Sequence, residues 1–278
     1  MINYPNIDPV AISIPIPGFW GDALNIHWYG LAYVVGAYLI YLRMVATRDK
    51  FGIEASKEEV SDVVFTYGLF FGAIIGGRLG SVLFYDLHLQ FQDPLYFLKI
   101  WEGGMSFHGG LAGVILAILW CARSYRLRAL AIGDEVALVA PLGLFFGRLA
   151  NFINGELYGR VTDHPLGMVF PDGGPLPRHP SQLYEASLEG LILLCVVWAL
   201  RRWQLEKRLG HGLILSCFLC GYGLARFGIE LVREPDAHIG LLATGVFSAG
   251  LTMGQLLCLP MITAGLLGFV WCSRQRLA

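Results

Sequence analysis

Seven apolar stretches dominate the chain and leave it few ways to fold. They lie near 26–46, 62–86, 106–122, 132–151, 184–200, 211–232 and 249–272. Each is long enough to cross a bilayer, which takes roughly 20 residues of helix. The expected fold class is an all-α integral membrane protein, a single polytopic domain over 1–278 with seven transmembrane helices. Composition agrees: 55% of residues are hydrophobic and 15% charged, where a soluble domain carries about 25% charged residues. The opening MINYPNIDPVAISIPIPGFW has no Lys or Arg. It lacks the basic start of a signal peptide and reads as a short ordered or interfacial lead-in.

Orientation follows from the basic residues near helix ends. The connections after the first, third and fifth stretches, together with the C-terminal tail, hold Arg43, Arg48, Lys50, Lys57, Arg123, Arg126, Arg128, Arg201, Arg202, Lys207, Arg208, Arg274 and Arg276. The alternate connections hold only Lys99, Arg160, Arg178 and Arg233. The richer side is cytoplasmic, so the N-terminus is expected outside and the C-terminus inside. The segment 159–183, with five prolines in GRVTDHPLGMVFPDGGPLPRHPSQ, is then an extracytoplasmic loop. A loop of this length is often functional, and it reads as a mobile arm that guides a substrate.

Three cations remain inside helices: Arg78, Arg148 and Arg226. A charge at mid-membrane costs about 2.5–3.5 kcal/mol on insertion scales and usually serves a function. The orientation puts all three in the outer leaflet. The same leaflet receives His27 and Tyr29 in HWYG, His108 in GGMSFHGG, Asn151, Asn154 and Glu156 after Arg148, and His179, Gln182 and Glu185 in RHPSQLYEA. Tyr222, Arg226 and Glu230 follow at i, i+4 and i+8, on one helix face. The inner halves hold little comparable; Asp134 and Glu135 suit a helix start. A secondary transporter would place its site at the midplane with broken helices, and a scramblase would need a polar path through both leaflets. Gly68, Gly72, Gly76 and Gly80 recur every fourth residue, a spacing for close helix packing. Gly109 and Gly110 suit either packing or backbone access for a headgroup.

Paired guanidiniums suit a phosphate, which they bind bidentately, and a phosphate in the outer leaflet is most simply a phospholipid headgroup. Glu230 and Glu156 are expected to hold the arginines. His108, with an ordinary pKa near 6.5, is a candidate proton acceptor. The six cysteines form no disulfide framework, and Cys217 and Cys220 read as core residues despite their CxxC spacing. Ser106 and His108 lie on different helix faces, which argues against a serine protease of the membrane. No HExxH or paired helical His spacing suggests a metal, and no cofactor is expected.

The stretch GRLANFINGELYG, Gly147 to Gly159, resembles the signature of the prolipoprotein diacylglyceryl transferase family, Gly-Arg-x-x-Asn-Phe-x-Asn-x-Glu-x-x-Gly. HWYG, GGMSFHGG, RHPSQLYEA and YGLARFGIELVREPD resemble the same family in its order, covering about 25 to 238. The resemblance implies transfer of the sn-1,2-diacylglyceryl group from phosphatidylglycerol to the lipobox cysteine thiol of a prolipoprotein in the bacterial inner membrane. The product is a thioether, and glycerol 1-phosphate leaves. It implies Arg148 as the phosphatidylglycerol-binding arginine, with Asn151, Asn154, Glu156 and Arg226 in the same binding set. It implies His108, Tyr222 and Arg226 as essential, with Tyr29 and Glu230 in support. Whether His108 takes the thiol proton, or Arg226 lowers the thiol pKa electrostatically, stays open. The implied partners are phosphatidylglycerol, the prolipoprotein signal peptide and membrane lipids, with no nucleic acid. The alternative is a non-catalytic phospholipid-binding or lipid-transport protein with the same phosphate pocket.

Overall fold

The computed structural model describes residues 2–5, 7–15, 23–48, 55–84, 86–100, 104–234, 241–242 and 251–276. Lys50, Gly103, Pro235 and Asp236, and residues 249–250 of the last apolar stretch, lie outside these. A helix lies within each of the seven apolar stretches. In chain order the helices are α1 Trp28–Thr47, α2 Lys57–Phe84, the short α3 Leu87–Gln92, α4 Phe107–Ser124, α5 Ala129–Ile153, α6 Ser181–Glu206, α7 Leu213–Ile229 and α8 Met253–Arg274. Among the described residues, α1, α2, α5, α6 and most of α8 are long and apolar enough to cross a membrane; α4 and α7 are apolar but shorter. The fold is that of a mostly helical membrane protein. Its strands are short and peripheral: β1 Ile2–Asn3, the hairpin β2 Val10–Pro15 with β3 Ala23–His27, β4 Met168–Val169, and the pair β5 Leu241–Leu242 with β6 Leu251–Thr252.

The chain divides into two compact units, Ala37–Glu135 on one hand and Met1–Gly36 with Val136–Ala278 on the other. In the first unit α2 starts at a capping box: the Ser56 side chain accepts from Glu59 N, and the Glu59 side chain accepts from Ser56 N. The stretch Asp62–Ile75 of α2 is widened into π-type turns. Its glycines meet α4 backbone to backbone. A Cβ on Gly113 would lie 2.3 Å from the Gly72 carbonyl oxygen, one on Gly76 2.8 Å from the Gly109 oxygen, and one on Gly80 2.7 Å from the Gly109 Cα. No side chain fits at those contacts. Gly109 is therefore a packing residue with no room beside it, since its own Cβ would lie 2.4 Å from the Gly76 oxygen. Gly68 does not join this contact; a Cβ there would meet only its own turn, at Val63.

Arg78 belongs to this unit and does not serve as an open phosphate ligand. Its fully buried guanidinium donates to the carbonyls of Phe97 at 3.1 Å, Gly104 at 3.3 Å and Tyr96 at 2.5 Å, and stacks over the Tyr96 ring. It ties the α2–α4 connection to the end of α2. Gly104, at φ +73°, makes room for that guanidinium: a Cβ there would lie 2.7 Å from Nη1. Ser106 caps α4, its hydroxyl accepting from Gly109 N at 3.3 Å. Its hydroxyl thus has a structural task at the helix start.

In the second unit the segment expected as a mobile arm is folded on a core of its own. Phe152, Met168 and Phe170 are buried together, with Tyr4, Tyr158 and Leu183 around them. β1 pairs in parallel with β4, and the Tyr4 hydroxyl donates to the carbonyls of Phe152 and Ile153. The N-terminal lead-in is thus pinned to this segment. Arg178 donates to Gly173 O, Gly159 O and Glu234, and lies over the Tyr158 ring. Gly159 is bridged to Arg233, so closely that a Cβ would lie 2.5 Å from Val232 O. Burial, and next the neighbouring His164, lower the His179 pKa from its usual 6.5. None of the six cysteines is in a disulfide, and the backbone at Cys220 of the CxxC pair packs against Gly265 of α8.

Candidate active site

The signature stretch is first of all a helix terminator. Gly155 has φ +69°, the left-handed conformation that favours glycine. Its N–H bonds Phe152 O at 3.0 Å, and the next N–H, of Glu156, reaches back to Asn151 O at 3.1 Å. This is a Schellman motif, with glycine one residue beyond the helix cap. The turn brings the Glu156 carboxylate back under the helix, where Oε1 accepts from Asn151 Nδ2 at 2.9 Å and Asn154 Nδ2 at 3.0 Å. Asn151 and Asn154 therefore both donate to Glu156 at the end of α5, while Asn154 Oδ1 is buried without a hydrogen-bond partner. Glu156 was expected to hold an arginine; it holds the two asparagines.

The turn then anchors α6. Gln182 Nε2 donates to Glu156 O at 2.6 Å, and Ser181 Oγ donates to Leu157 O at 2.9 Å. One helical turn further along α6 stands Glu185, and one turn beyond it Glu189, both fully buried. Glu185 stands at the edge of a second π-type stretch, Ala186–Ile192, a departure from α-helix that recurs at functional sites.

These two carboxylates, with Glu230, hold the intramembrane arginines. Arg148 Nε lies 3.1 Å from Glu185 Oε2, and its Nη2 donates to Glu189 Oε2 at 3.2 Å. Arg226 Nη1 donates to Glu185 Oε1 at 2.6 Å, and its Nη2 pairs with Glu230 Oε1 at 2.5 Å. Arg233 joins from the end of α7, 3.5 Å from Glu230 Oε1 and 3.9 Å from Glu185 Oε1. Glu230 Oε2 accepts from the Thr252 hydroxyl at 2.7 Å, which brings the start of α8 into the network. Three guanidiniums thus meet three carboxylates among α5, α6 and α7. Removing one partner of such a buried pair costs about 3–5 kcal/mol, so the network positions its arginines firmly.

The structure brings Arg148, Arg226 and Glu230 together as expected. Tyr222 shares their surroundings on α7: its ring stacks on Phe218, and its hydroxyl lies within electrostatic range of Arg148 and Arg226. Tyr29 sits in the first turn of α1 and pairs with Tyr33, hydroxyl to hydroxyl at 3.2 Å. His108 belongs to the unit Ala37–Glu135 and stands exposed in the first turn of α4. No group of three or more His, Cys, Asp or Glu among the described residues could hold a metal.

The protein-family model described as prolipoprotein diacylglyceryl transferase matches residues 17–271. The chain belongs to the prolipoprotein diacylglyceryl transferase family. Its similarity to individual members is just as extended. A phosphatidylglycerol–prolipoprotein diacylglyceryl transferase of Rhodospirillum rubrum is 51% identical over 278 residues, covering 99% of this chain and 96% of that protein. The enzyme of the same name from Vibrio parahaemolyticus is 47% identical over 278 residues, 99% of this chain and 94% of the other. One from Vibrio cholerae is 46% identical over 278 residues, covering 99% and 95%.

Within this member of the transferase family, sequence reasoning passed over two residues of the arginine network. Glu185 was noted only as polar and near a helix start, and Glu189 not at all. A signal was present. Two carboxylates four residues apart begin an otherwise apolar run, EASLEGLILL, and ionisable groups inside membrane helices pair with one another.

Proposed function

We propose that this chain transfers the diacylglyceryl group of phosphatidylglycerol to the lipobox cysteine thiol of prolipoproteins. The sulfur–carbon bond forms at the glycerol carbon that carries the phosphate, the bond from that carbon to the phosphate oxygen breaks, and glycerol 1-phosphate leaves. The thiol proton goes to a base. The observation that carries this reading is the pair Arg148 and Arg226, joined by the shared carboxylate of Glu185 in a chain whose family is prolipoprotein diacylglyceryl transferase. Negative charge builds on the departing phosphate oxygen, and prepositioned guanidiniums stabilise it in the transition state without reorganising. No intramembrane nucleophile is required, because the substrate brings its own thiol.

In this reading Arg148 and Arg226 bind the headgroup, with Asn151, Asn154 and Glu156 supporting the turn beside Arg148. Tyr222, Tyr29 and Glu230 act in support, and His108, by its motif, is the proton acceptor. All seven apolar helices cross the inner membrane. The 17 residues of α7 reach about 26 Å at about 1.5 Å per residue, against a hydrocarbon core of about 30 Å, so modest local thinning accommodates it. The asymmetry of basic residues puts the N-terminus outside, the C-terminus inside and the site in the outer leaflet. The whole chain acts as one membrane domain, with segment 159–183 as its extracytoplasmic part and guide for the signal peptide.

The test is a mass shift on a lipobox peptide incubated with purified protein and phosphatidylglycerol. A diacylglyceryl adduct on the cysteine supports the reading. Lipid binding without an adduct would replace it with the non-catalytic phospholipid-binding one.

A further inference from the structure

We infer that Glu185 is a positioning residue: its carboxylate holds Arg148 and Arg226 apart at a fixed separation, so that both guanidiniums address one phosphate. The inference rests on the phosphatidylglycerol reading above. The two Glu185 oxygens divide the task. Oε1 accepts from Arg226 Nη1 at 2.6 Å, with Arg233 Nε 3.9 Å away, while Oε2 lies 3.1 Å from Arg148 Nε as an ion pair without hydrogen-bond alignment. The other two carboxylates do less bridging. Glu189 pairs with Arg148, and Glu230 pairs with Arg226 and Arg233. Among the described ion pairs, only those of Glu185 join the arginine of α5 to the arginine of α7.

Its own position is set from the signature turn. Glu156 O and Leu157 O receive Gln182 and Ser181, which fixes the first turn of α6 and therefore Glu185 one turn later. The carboxylate is fully buried and has no water to replace it. Without it, two like charges face each other in apolar surroundings, where their repulsion is weakly screened, and the side chains move apart.

This role has a kinetic signature that a plain folding role lacks. The network has three arginines and three glutamates, so Glu185→Gln leaves it one positive charge in excess. Ground-state attraction for an anionic headgroup is then not weakened, while the geometry needed in the transition state is lost. Misplacement of a positioned group by about 1 Å can cost about 10²-fold in rate. The experiment measures diacylglyceryl transfer by purified, folded protein in phosphatidylglycerol-containing nanodiscs, with kcat and KM for phosphatidylglycerol resolved. We expect Glu185→Gln to lower kcat by about 10²-fold with KM unchanged or lower, and Glu185→Asp to recover part of the loss. Combined with Arg148→Lys, the loss should fall short of the product of the single losses, because both act on the same guanidinium geometry. If the Gln variant does not fold, Glu185→Asp alone carries the test, with kcat falling and KM held. Wild-type kcat in either folded variant, a raised KM with kcat kept, or losses that multiply would overturn the inference. An inactive wild-type protein would sink the phosphatidylglycerol reading and this role with it.

Discussion

Replacing Arg148 by Lys isolates the guanidinium fork from its charge. Arg148 presents two nitrogens to two different carboxylates, Nε to Glu185 at 3.1 Å and Nη2 to Glu189 at 3.2 Å. In lysine a methylene occupies the place of Nε, so Glu185 Oε2 faces carbon, and a single ammonium serves Glu189 and the phosphate together. The side chain is only 16% exposed, so water cannot repair the loss. A hydrogen bond to a charged group is worth about 1.5–3 kcal/mol. At about 1.4 kcal/mol per tenfold in rate, losing one such contact in the transition state slows transfer by about 10- to 150-fold. The hydrogen bond in question is Nη2 to Glu189; Nε and Glu185 Oε2 are paired by charge at 3.1 Å without hydrogen-bond alignment. The assay is adduct formation on a lipobox peptide, normalised to protein that elutes as a single species and melts cooperatively. Wild-type turnover by a well-folded Arg148→Lys protein would refute both the fork argument and the assignment of this arginine to the headgroup.

Three further outcomes are expected. His108→Gln should lower transfer by about 10²–10⁴-fold, the usual share of general base catalysis, and the deficit should shrink above the thiol pKa of about 8.5; a deficit that stays constant with pH would move the base elsewhere. Gly113→Ala puts a Cβ 2.3 Å from Gly72 O and should destabilise the protein by about 1–3 kcal/mol, whereas Gly143→Ala, with nothing within 4 Å, should hold or raise the melting temperature; equal melting of the two would contradict the backbone contact. His179 has its pKa lowered by burial and then by His164, so the stability it lends is complete above the ordinary value near 6.5 and is lost as pH falls from there through the lowered folded value; amide protection factors in 159–178, taken relative to the intrinsic exchange rate at each pH, should therefore fall on acidification through this window, and unchanged protection would count against it.

Much of the protein was legible without coordinates, because lipid imposes simple demands. Long apolar runs must be helices, and a mostly helical membrane protein was legible from them. A buried cation is expensive, which singled out Arg78, Arg148 and Arg226, and the signature around Arg148 named the family. What stayed hidden was how charges are shared. A one-dimensional reading finds a costly cation and a partner on its own helix, as with Arg226 and Glu230, but cannot say which carboxylates of another helix answer it. Glu156 stands eight residues from Arg148 and was the natural choice, yet the left-handed turn at Gly155 returns it to Asn151 and Asn154. Glu185, thirty-seven residues on, answers both Arg148 and Arg226 instead. Arg78 shows the same limit, since its guanidinium donates to the carbonyls of Phe97, Gly104 and Tyr96 in the α2–α4 connection. The proline-rich segment read as a mobile arm from its prolines and length, but Met168 and Phe170 pack with Phe152 in a buried cluster, and β1 of the distant N-terminus pairs with β4. Local sequence determined helices, caps and the cost of each buried charge; only the tertiary structure decided which opposite charge meets it, because that choice depends on distances between segments far apart in the chain.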